Sequence, residues 1–421
     1  MRPGGRLQAA IAILEEMERT GKSAALALAE WGRAHRFAGS ADRAAIGDHL
    51  HDALRRRRSA AARLGSDSAR AAVLGAALGG PDEFEAVTAG DRHAPPPLSA
   101  AERDAWQGFD PAALDPAVAG DIPDWCAGGF AEAFGPDWVE EAVALAQRPA
   151  LDLRVNRLKS SREAVLAELD GMQAAATPIS PDGIRIHPRD GRLPGLETVP
   201  AYAEGRIEIQ DEGSQIAAIL AMQDRPAQVL DYCAGGGGKT LAMSAVLENR
   251  GQIHAHDADP RRLAPLRERM LRAGCRNVQI LRRREALAPL AAKMDLVLVD
   301  APCTGTGTWR RRPETKWRLT PEHLSARMAE QDRILAEAAR FVRPGGRLVY
   351  VTCSVLPAEN EHRIEAFLAA TPGFRALDAG AAFTQAFGLP AEVVHVRRNG
   401  IALTPARAGT DGFFVSILAR A

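Results

Sequence analysis

The sequence predicts an α/β protein: a mostly parallel sheet covered by helices in the C-terminal half, behind a small α+β unit and an N-terminal all-α bundle. Two observations predict it. From about Glu204 onward short apolar runs alternate with helical segments, the pattern of strands joined by helical crossovers. Ahead of them, residues 6 to about 88 are alanine-rich and glycine-poor, with apolar residues at helical spacing.

In chain order, residues 1–90 read as a bundle in which Leu7, Ile11, Leu14 and Met17 share one face. Residues 91–124 turn to proline and aspartate, with Pro95 to Pro97, Pro111, Pro116 and Pro123 marking an extended linker. Residues 125–203 read as a compact α+β subdomain: a helical stretch from Trp138 to Gln147, the strand-like LDLRVNRLK from Leu151 to Lys159, the helical SREAVLAEL and a short GIRI strand. In residues 204–421 the strands are QVLDYC, QIHAHD, VQIL, MDLVLVD and RLVYVTC, with helices from Lys239, Pro260 and Pro321 between them.

A chain of 421 residues with 46% apolar and 25% charged residues has the composition of a globular protein of two or three domains. Its formal net charge is zero, so a polyanionic partner must be sought in local clusters such as Arg55 to Arg58, Arg282 to Arg284 and Arg310 to Arg312. Each run taken alone is more often a solvated face than a nucleic-acid contact. The five cysteines form no CxxC pair, which argues against a disulfide framework or a metal site. Glu15 and Glu16 interrupt the first apolar stretch, so neither a signal peptide nor a membrane span is expected. A cytoplasmic monomer with reduced thiols is the expectation.

VLDYCAGGGGKT, from Val229 to Thr240, runs an apolar strand into four consecutive glycines, Gly235 to Gly238, and then a helix. Glycine there lets backbone approach a ligand closely, as at the first strand-to-helix turn of doubly wound folds. It is not a phosphate-binding P-loop, because the first glycine of that motif would fall on Cys233. Asp257 closes the second strand, where a carboxylate can accept hydrogen bonds from ribose hydroxyls; Asp259 is the rival. Together the turn and the acid support an adenosine cofactor.

MDLVLVDAPCTGTGTW and GRLVYVTCSV are buried-type strands that each end in a cysteine-bearing loop. Catalytic groups in open α/β sheets gather at the carboxyl ends of strands, and consecutive strands are commonly neighbours. Cys303 and Cys353 are therefore expected in one pocket beside Asp300. A lone buried cysteine is ordinarily a small hydrophobe, but two in corresponding loops are not.

DAPCTGTG followed by TCSVLPAENE, after CAGGGGKT and IQDEGSQ, resembles the Sun/Nop family of RNA (cytosine-5) methyltransferases, RsmB-like members of the bacterial ribosomal RNA type. The resemblance spans Leu151 to the last strand, GFFVSILAR. It implies a Rossmann-like class I methyltransferase fold with a seven-stranded sheet, S-adenosylmethionine as cofactor and RNA, ribosomal RNA above all, as partner. It further implies that Cys353 is the nucleophile and that Cys303 helps resolve the adduct. Asp300 would recognise the base beside Lys239, and the cofactor would lie against Cys233, Ala234, Gly235, Gly236, Gly237, Gly238, Lys239, Asp257 and Asp300. The chemistry agrees, because carbon 5 of cytosine becomes nucleophilic only after a thiolate has added at carbon 6.

LRVNRLK resembles the strand of the family's RNA-recognition subdomain, which assigns Arg154, Asn156, Arg157 and Lys159 to phosphate and sugar contacts. In WRRRPETKWRL, Arg310, Arg311, Arg312 and Lys316 are suited to gripping backbone while Trp309 or Trp317 stacks on a base; packing between helices is the competing account of both tryptophans. The N-terminal bundle is similar in composition to a NusB-like RNA-binding domain. Two departures from the family stand out. The glycine loop usually reads CAAPGGKT, so Gly235 and Gly236 predict a looser turn, and the stretch that usually holds an acid after the third strand reads LRRREAL, where Glu285 would have to serve although Arg284 is nearer in register. The rival readings are a DNA cytosine-5 methyltransferase, whose nucleophile would be Cys303, and a non-catalytic RNA-binding assembly factor.

Overall fold

The computed structural model describes residues 1–187, 195–196 and 199–421, which fall into two compact units. The first comprises Met1–Arg148 with Trp309–Leu319, and the second Pro149–Thr308 with Thr320–Ala421.

The first unit is helical, beginning with Pro3–Thr20, Ala24–Ala34 and Ser40–Arg55. Leu7, Ile11, Leu14 and Met17 are all buried in its core, as their spacing predicts. Helices Arg57–Ala62 and Ala69–Ala77 approach so closely at Gly75 that a Cβ there would lie 2.0 Å from the Ala60 carbonyl oxygen. The proline-rich stretch is not an extended linker. It folds into the short helices Ala100–Gln107, Pro111–Ala113 and Pro116–Ala119. Ser99 and Glu102 form a capping box on the first, while Asp110 and Asp115 cap the other two ahead of prolines at their starts. The Pro313–Arg318 helix belongs to this unit and seats Trp317 against its core.

The second unit holds two sheets. Strands β1 (Leu151–Val155), β2 (Ala174–Ala176), β3 (Gly183–Ile186) and β4 (Ile207–Ile209) form an antiparallel sheet of order β2-β3-β1-β4. Its last strand lies past residue 203, and β1 is an inner strand, not an edge. Leu153, Val155, Ile184, Ile186 and Ile207 pack on Val165 of the Arg162–Glu168 helix and on Leu169, which caps its end.

The larger sheet has strands β5 (Gln228–Asp231), β6 (Gln252–His256), β7 (Val278–Leu281), β8 (Met294–Asp300), β9 (Val342–Thr352), β10 (Phe374–Ala376), β11 (His395–Arg397), β12 (Gly400–Leu403) and β13 (Phe413–Arg420). Along β7-β6-β5-β8-β9 every pairing is parallel, and β13 then adds antiparallel to β9. The sheet has nine strands instead of seven, because the short β10 and β11 extend its antiparallel side. The order reverses between β5 and β8. That switch point opens a crevice at the strands' carboxyl ends, where the glycine turn and the Asp300 loop both emerge.

Candidate active site

β8 and β9 are parallel neighbours with Asp300 opposite Val351, so the loops after them start side by side. The two thiols meet there, with Cys303 Sγ 3.4 Å from Cys353 Sγ. Both cysteines are half-buried. The hydrogen bond shared with Cys353, reinforced by burial, pushes the Cys303 thiol well above the ordinary cysteine range, so Cys303 keeps its proton at neutral pH. Asp300 Oδ2 takes Lys239 Nζ at 2.8 Å; the lysine is 8% exposed and the carboxylate 36%. Lys239 also lies 5.3 Å from the ring centroid of Phe413.

Residues with no role assigned from sequence hold this geometry. Glu359, fully buried after β9, accepts from Thr304 N at 2.8 Å, from the Thr304 hydroxyl and from Gln331 Nε2 at 2.9 Å. It therefore clamps the residue next to Cys303. On the other loop, Asn360 accepts from the Thr352 hydroxyl at 2.6 Å and donates to the Ser354 carbonyl at 2.9 Å, bracketing Cys353. Gly307 N donates to the Cys353 carbonyl at 3.0 Å and ties the loops to each other. The only sequence signal was that both residues sit in the PAENE that follows TCS.

The glycine turn closes at Gly237, whose φ is +85° and where a Cβ would fall 2.1 Å from Leu266 Cδ1. The helix Gly238–Val246 starts from it and carries Lys239 and Thr240 inward. Asp257 is buried and accepts from Gly235 N at 3.0 Å, with Arg262 Nη1 3.1 Å away. Asp259 lines the same cavity as Asp257 but is more exposed and pairs with the exposed Arg261 at 3.0 Å. Cys233 and Asp257 line a cavity of about 270 Å³ together with Tyr232, Arg262, Arg282 and Arg284. Glu285 is exposed and absent from this lining. Burial drives the Asp231 carboxyl up to about 7 although Thr240 donates to its Oδ2 at 2.6 Å, and its Oδ1 is buried with no partner. Burial, and next the charge of Asp231, also lifts the Cys233 thiol.

The RNA-contact expectations divide. Arg154 is 4% exposed and burial lowers its guanidinium to about 10. Asn156 is 3% exposed and its Nδ2 donates to the Gly205 and Ala273 carbonyls, each at 2.8 Å. Neither presents its head group to a ligand, because both faces of β1 are covered. Arg157 and Lys159 are exposed; the first pairs with Asp182 and the second caps the Glu204 and Arg272 carbonyls. In the other basic stretch Lys316 is 1% exposed, donates to the Arg55 carbonyl at 2.9 Å and is brought down to about 8 by burial. Arg310 is buried too, whereas Arg311 is half-buried and Arg312 exposed. Trp309 stacks on Phe130, and Trp317 donates to the Leu54 carbonyl at 2.7 Å, so both tryptophans pack inside the helical unit.

A sheet of this order with a glycine turn at its switch point is the class I methyltransferase fold, and proteins of that class take their methyl group from S-adenosylmethionine. The residues present suit that cofactor: Asp257 lies at the cavity, Asp231 Oδ1 is a buried acceptor in want of a donor, and glycine backbone lines the turn.

Residues 217–419 match the family 16S rRNA methyltransferase RsmB/F, and residues 122–189 match the RsmF/B-like ferredoxin-like domain. The ribosomal RNA small subunit methyltransferase B of Sodalis glossinidius is 34% identical over 322 residues, covering 73% of this chain and 69% of that protein. The probable enzyme of the same description from Synechocystis sp. is 32% identical over 306 residues, covering 71% and 67%. A solved methyltransferase homolog from Pyrococcus horikoshii superimposes with a TM-score of 0.60 at 26% identity, over 74% of this chain and all of that one. The chain belongs to the RsmB/F family of ribosomal RNA small subunit methyltransferases. Among the described residues no helix is long and apolar enough to cross a membrane.

Proposed function

We propose that this protein methylates carbon 5 of a cytosine in small-subunit ribosomal RNA, with Cys353 as nucleophile and Cys303 as the second catalytic cysteine. The observation that carries the reading is the pair of sulfurs 3.4 Å apart at the ends of adjacent strands, next to the Lys239–Asp300 ion pair. S-adenosylmethionine bound at Cys233 to Lys239 and Asp257 supplies an electrophilic methyl group on its sulfonium.

The target base must leave its stack to reach a sulfur, so the substrate is a loop or a locally opened helix. Asp300, oriented by Lys239, meets the polar edge of the base. The Cys353 thiolate bonds to carbon 6, and the electron pair it displaces is held in the ring while carbon 5 acts as nucleophile. Cys303, which holds its proton strongly, donates to the Cys353 sulfur beforehand. After methylation the carbon 5 proton must pass to a base and the Cys353–carbon 6 bond must break. Once its sulfur is bonded to carbon 6, Cys353 no longer carries the charge that holds the Cys303 proton, so Cys303 gives that proton to solvent and, as a thiolate, takes the carbon 5 proton while Cys353 leaves carbon 6 as a thiolate. Arg157, Lys159, Arg311 and Arg312 remain the proposed phosphate contacts from the two basic segments.

Separate alanine variants test the assignment on a ribosomal RNA fragment with cofactor present. Cys353→Ala should form no denaturation-resistant RNA adduct, and Cys303→Ala should accumulate one. The reverse pattern would assign the nucleophile to Cys303, as in the DNA-enzyme reading. Cofactor binding without methyl transfer to any RNA would favour the assembly-factor reading.

A further inference from the structure

We infer that the N-terminal helical unit carries its own binding site for an unpaired nucleotide, in the cavity beside Trp31, His35 and Phe37. The inference rests on the reading of RNA as substrate and adds to it a second point of contact outside the methyltransferase sheet.

The cavity, of about 540 Å³, lies within the range of small-ligand pockets. One wall is the start of the helix Pro3–Thr20, another the end of the helix Ala24–Ala34, and the loop of Gly90 to His93 closes a third side. Its floor is apolar, with Ala9 and Ala12 from the first helix. Its upper wall is aromatic. Trp31 and His35 stack at 4.3 Å with their planes 11° apart, and Phe37 meets His35 edge-on at 5.8 Å. The His35 ring is fixed in that stack because its Nδ1 lies 2.8 Å from the Trp31 carbonyl oxygen.

Phe37 is the reason to look for a ligand. It is 73% exposed, in a sequence where large aromatics are scarce. A single exposed apolar side chain is unremarkable, but this one stands edge-on to an ordered stack at the mouth of a cavity, with its own ring exposed to a flat partner. The rim supplies the complementary charge. Arg2 and Arg92 line the cavity, Arg36 stands exposed between His35 and Phe37, and none of the three forms an ion pair among the described residues. The one carboxylate in the lining, Asp91, is occupied by the backbone N–H groups of Gly5 at 2.8 Å and His93 at 3.0 Å.

Stacked rings beside arginines that no carboxylate neutralises are the chemistry by which proteins hold single-stranded nucleic acid without strong sequence preference: the base takes the ring and the phosphate takes the guanidinium. A duplex offers no free base face to such a site. The occupant is therefore an unpaired nucleotide of the RNA.

The test uses the full chain and a labelled single-stranded oligoribonucleotide, with the same strand in a duplex for comparison. Phe37→Ala should weaken single-strand binding about tenfold, within the usual range for a lost stacking partner. Phe37→Trp should restore it, and duplex binding should not change. With a ribosomal RNA fragment as substrate, Phe37→Ala should raise KM and leave kcat unchanged, since the residue lies in the helical unit and not at the thiols. Single-strand affinity unaltered by both Phe37→Ala and His35→Ala, with methyl transfer intact, would overturn the site while leaving the methyltransferase reading in place. If Phe37→Ala lost RNA affinity but the parent chain transferred no methyl group, the nucleotide site would stand and the proposed function would fall.

Discussion

Glu359 is the residue whose removal should be felt most sharply. Its buried carboxylate accepts from Thr304 N, the Thr304 hydroxyl and Gln331 Nε2. In Glu359→Ala the hydroxyl can rotate to another acceptor, but the Thr304 N–H cannot, and the Gln331 amide keeps its bond to the Pro302 carbonyl while its second N–H is stranded. A buried donor left unsatisfied costs about 1–3 kcal/mol, so the two together destabilise by about 2–6 kcal/mol, out of a total of about 5–15 for a typical domain. Glu359→Gln keeps an oxygen for those two donors and turns its amide toward the Thr304 hydroxyl, losing only the charge assistance, about 1–2 kcal/mol. Urea unfolding of the three proteins measures the difference. The functional readout is the adduct: with the Cys303 loop unclamped, Cys353 should still bond to RNA while release slows, so adduct accumulates in Glu359→Ala. Stability within about 0.5 kcal/mol of the parent for Glu359→Ala, or equal losses for the two variants, would refute the clamp.

Two further outcomes follow from burial. The Asp231 carboxyl is held at about 7 in the fold, against 3.8 for an unperturbed aspartate, so between those two pH values the folded state keeps a proton that the unfolded state releases, and stability falls as pH rises. Asp231→Asn should therefore stabilise the protein above pH 7, by at most about 4 kcal/mol, and lose that advantage below pH 4, as followed by thermal melts across the range. Asn156→Ala should cost about 2–4 kcal/mol by stranding the Gly205 and Ala273 carbonyls, yet leave the salt dependence of RNA binding unchanged; a shallower salt slope at unaltered stability would return Asn156 to the RNA surface.

The strands and their order of use were legible because buried parallel strands announce themselves: each predicted apolar run from QVLDYC to RLVYVTC became a parallel strand of the larger sheet. The pairing of the thiols followed from that topology. Charge is harder to read. Arg154, Asn156, Arg310 and Lys316 carry groups that usually face solvent, and one sequence does not say which of them has a carbonyl or a carboxylate waiting inside. Lys316 finds the Arg55 carbonyl from a helix far away in the chain. Glu359 was missed for the converse reason: an acid after a proline reads as surface until the Thr304 loop arrives from another strand to be held.

The glycine loop shows why a local departure from a family pattern need not have its expected effect. Two glycines in place of alanine and proline should loosen the turn through the entropy of the unfolded chain. Yet Gly235 sits at a φ of +51°, where alanine would be strained and glycine is not. Its N–H is held by Asp257 at 3.0 Å, the Gly237 N–H by the Ala234 carbonyl at 2.8 Å, and the Gly236 carbonyl by Arg269. Three consecutive residues are thus tied to the end of β6, to the turn itself and to the helix Leu266–Ala273. The same ties orient Asp257 toward the cavity, so what the loop gives up in intrinsic stiffness it regains from the acid that the cofactor's ribose would share.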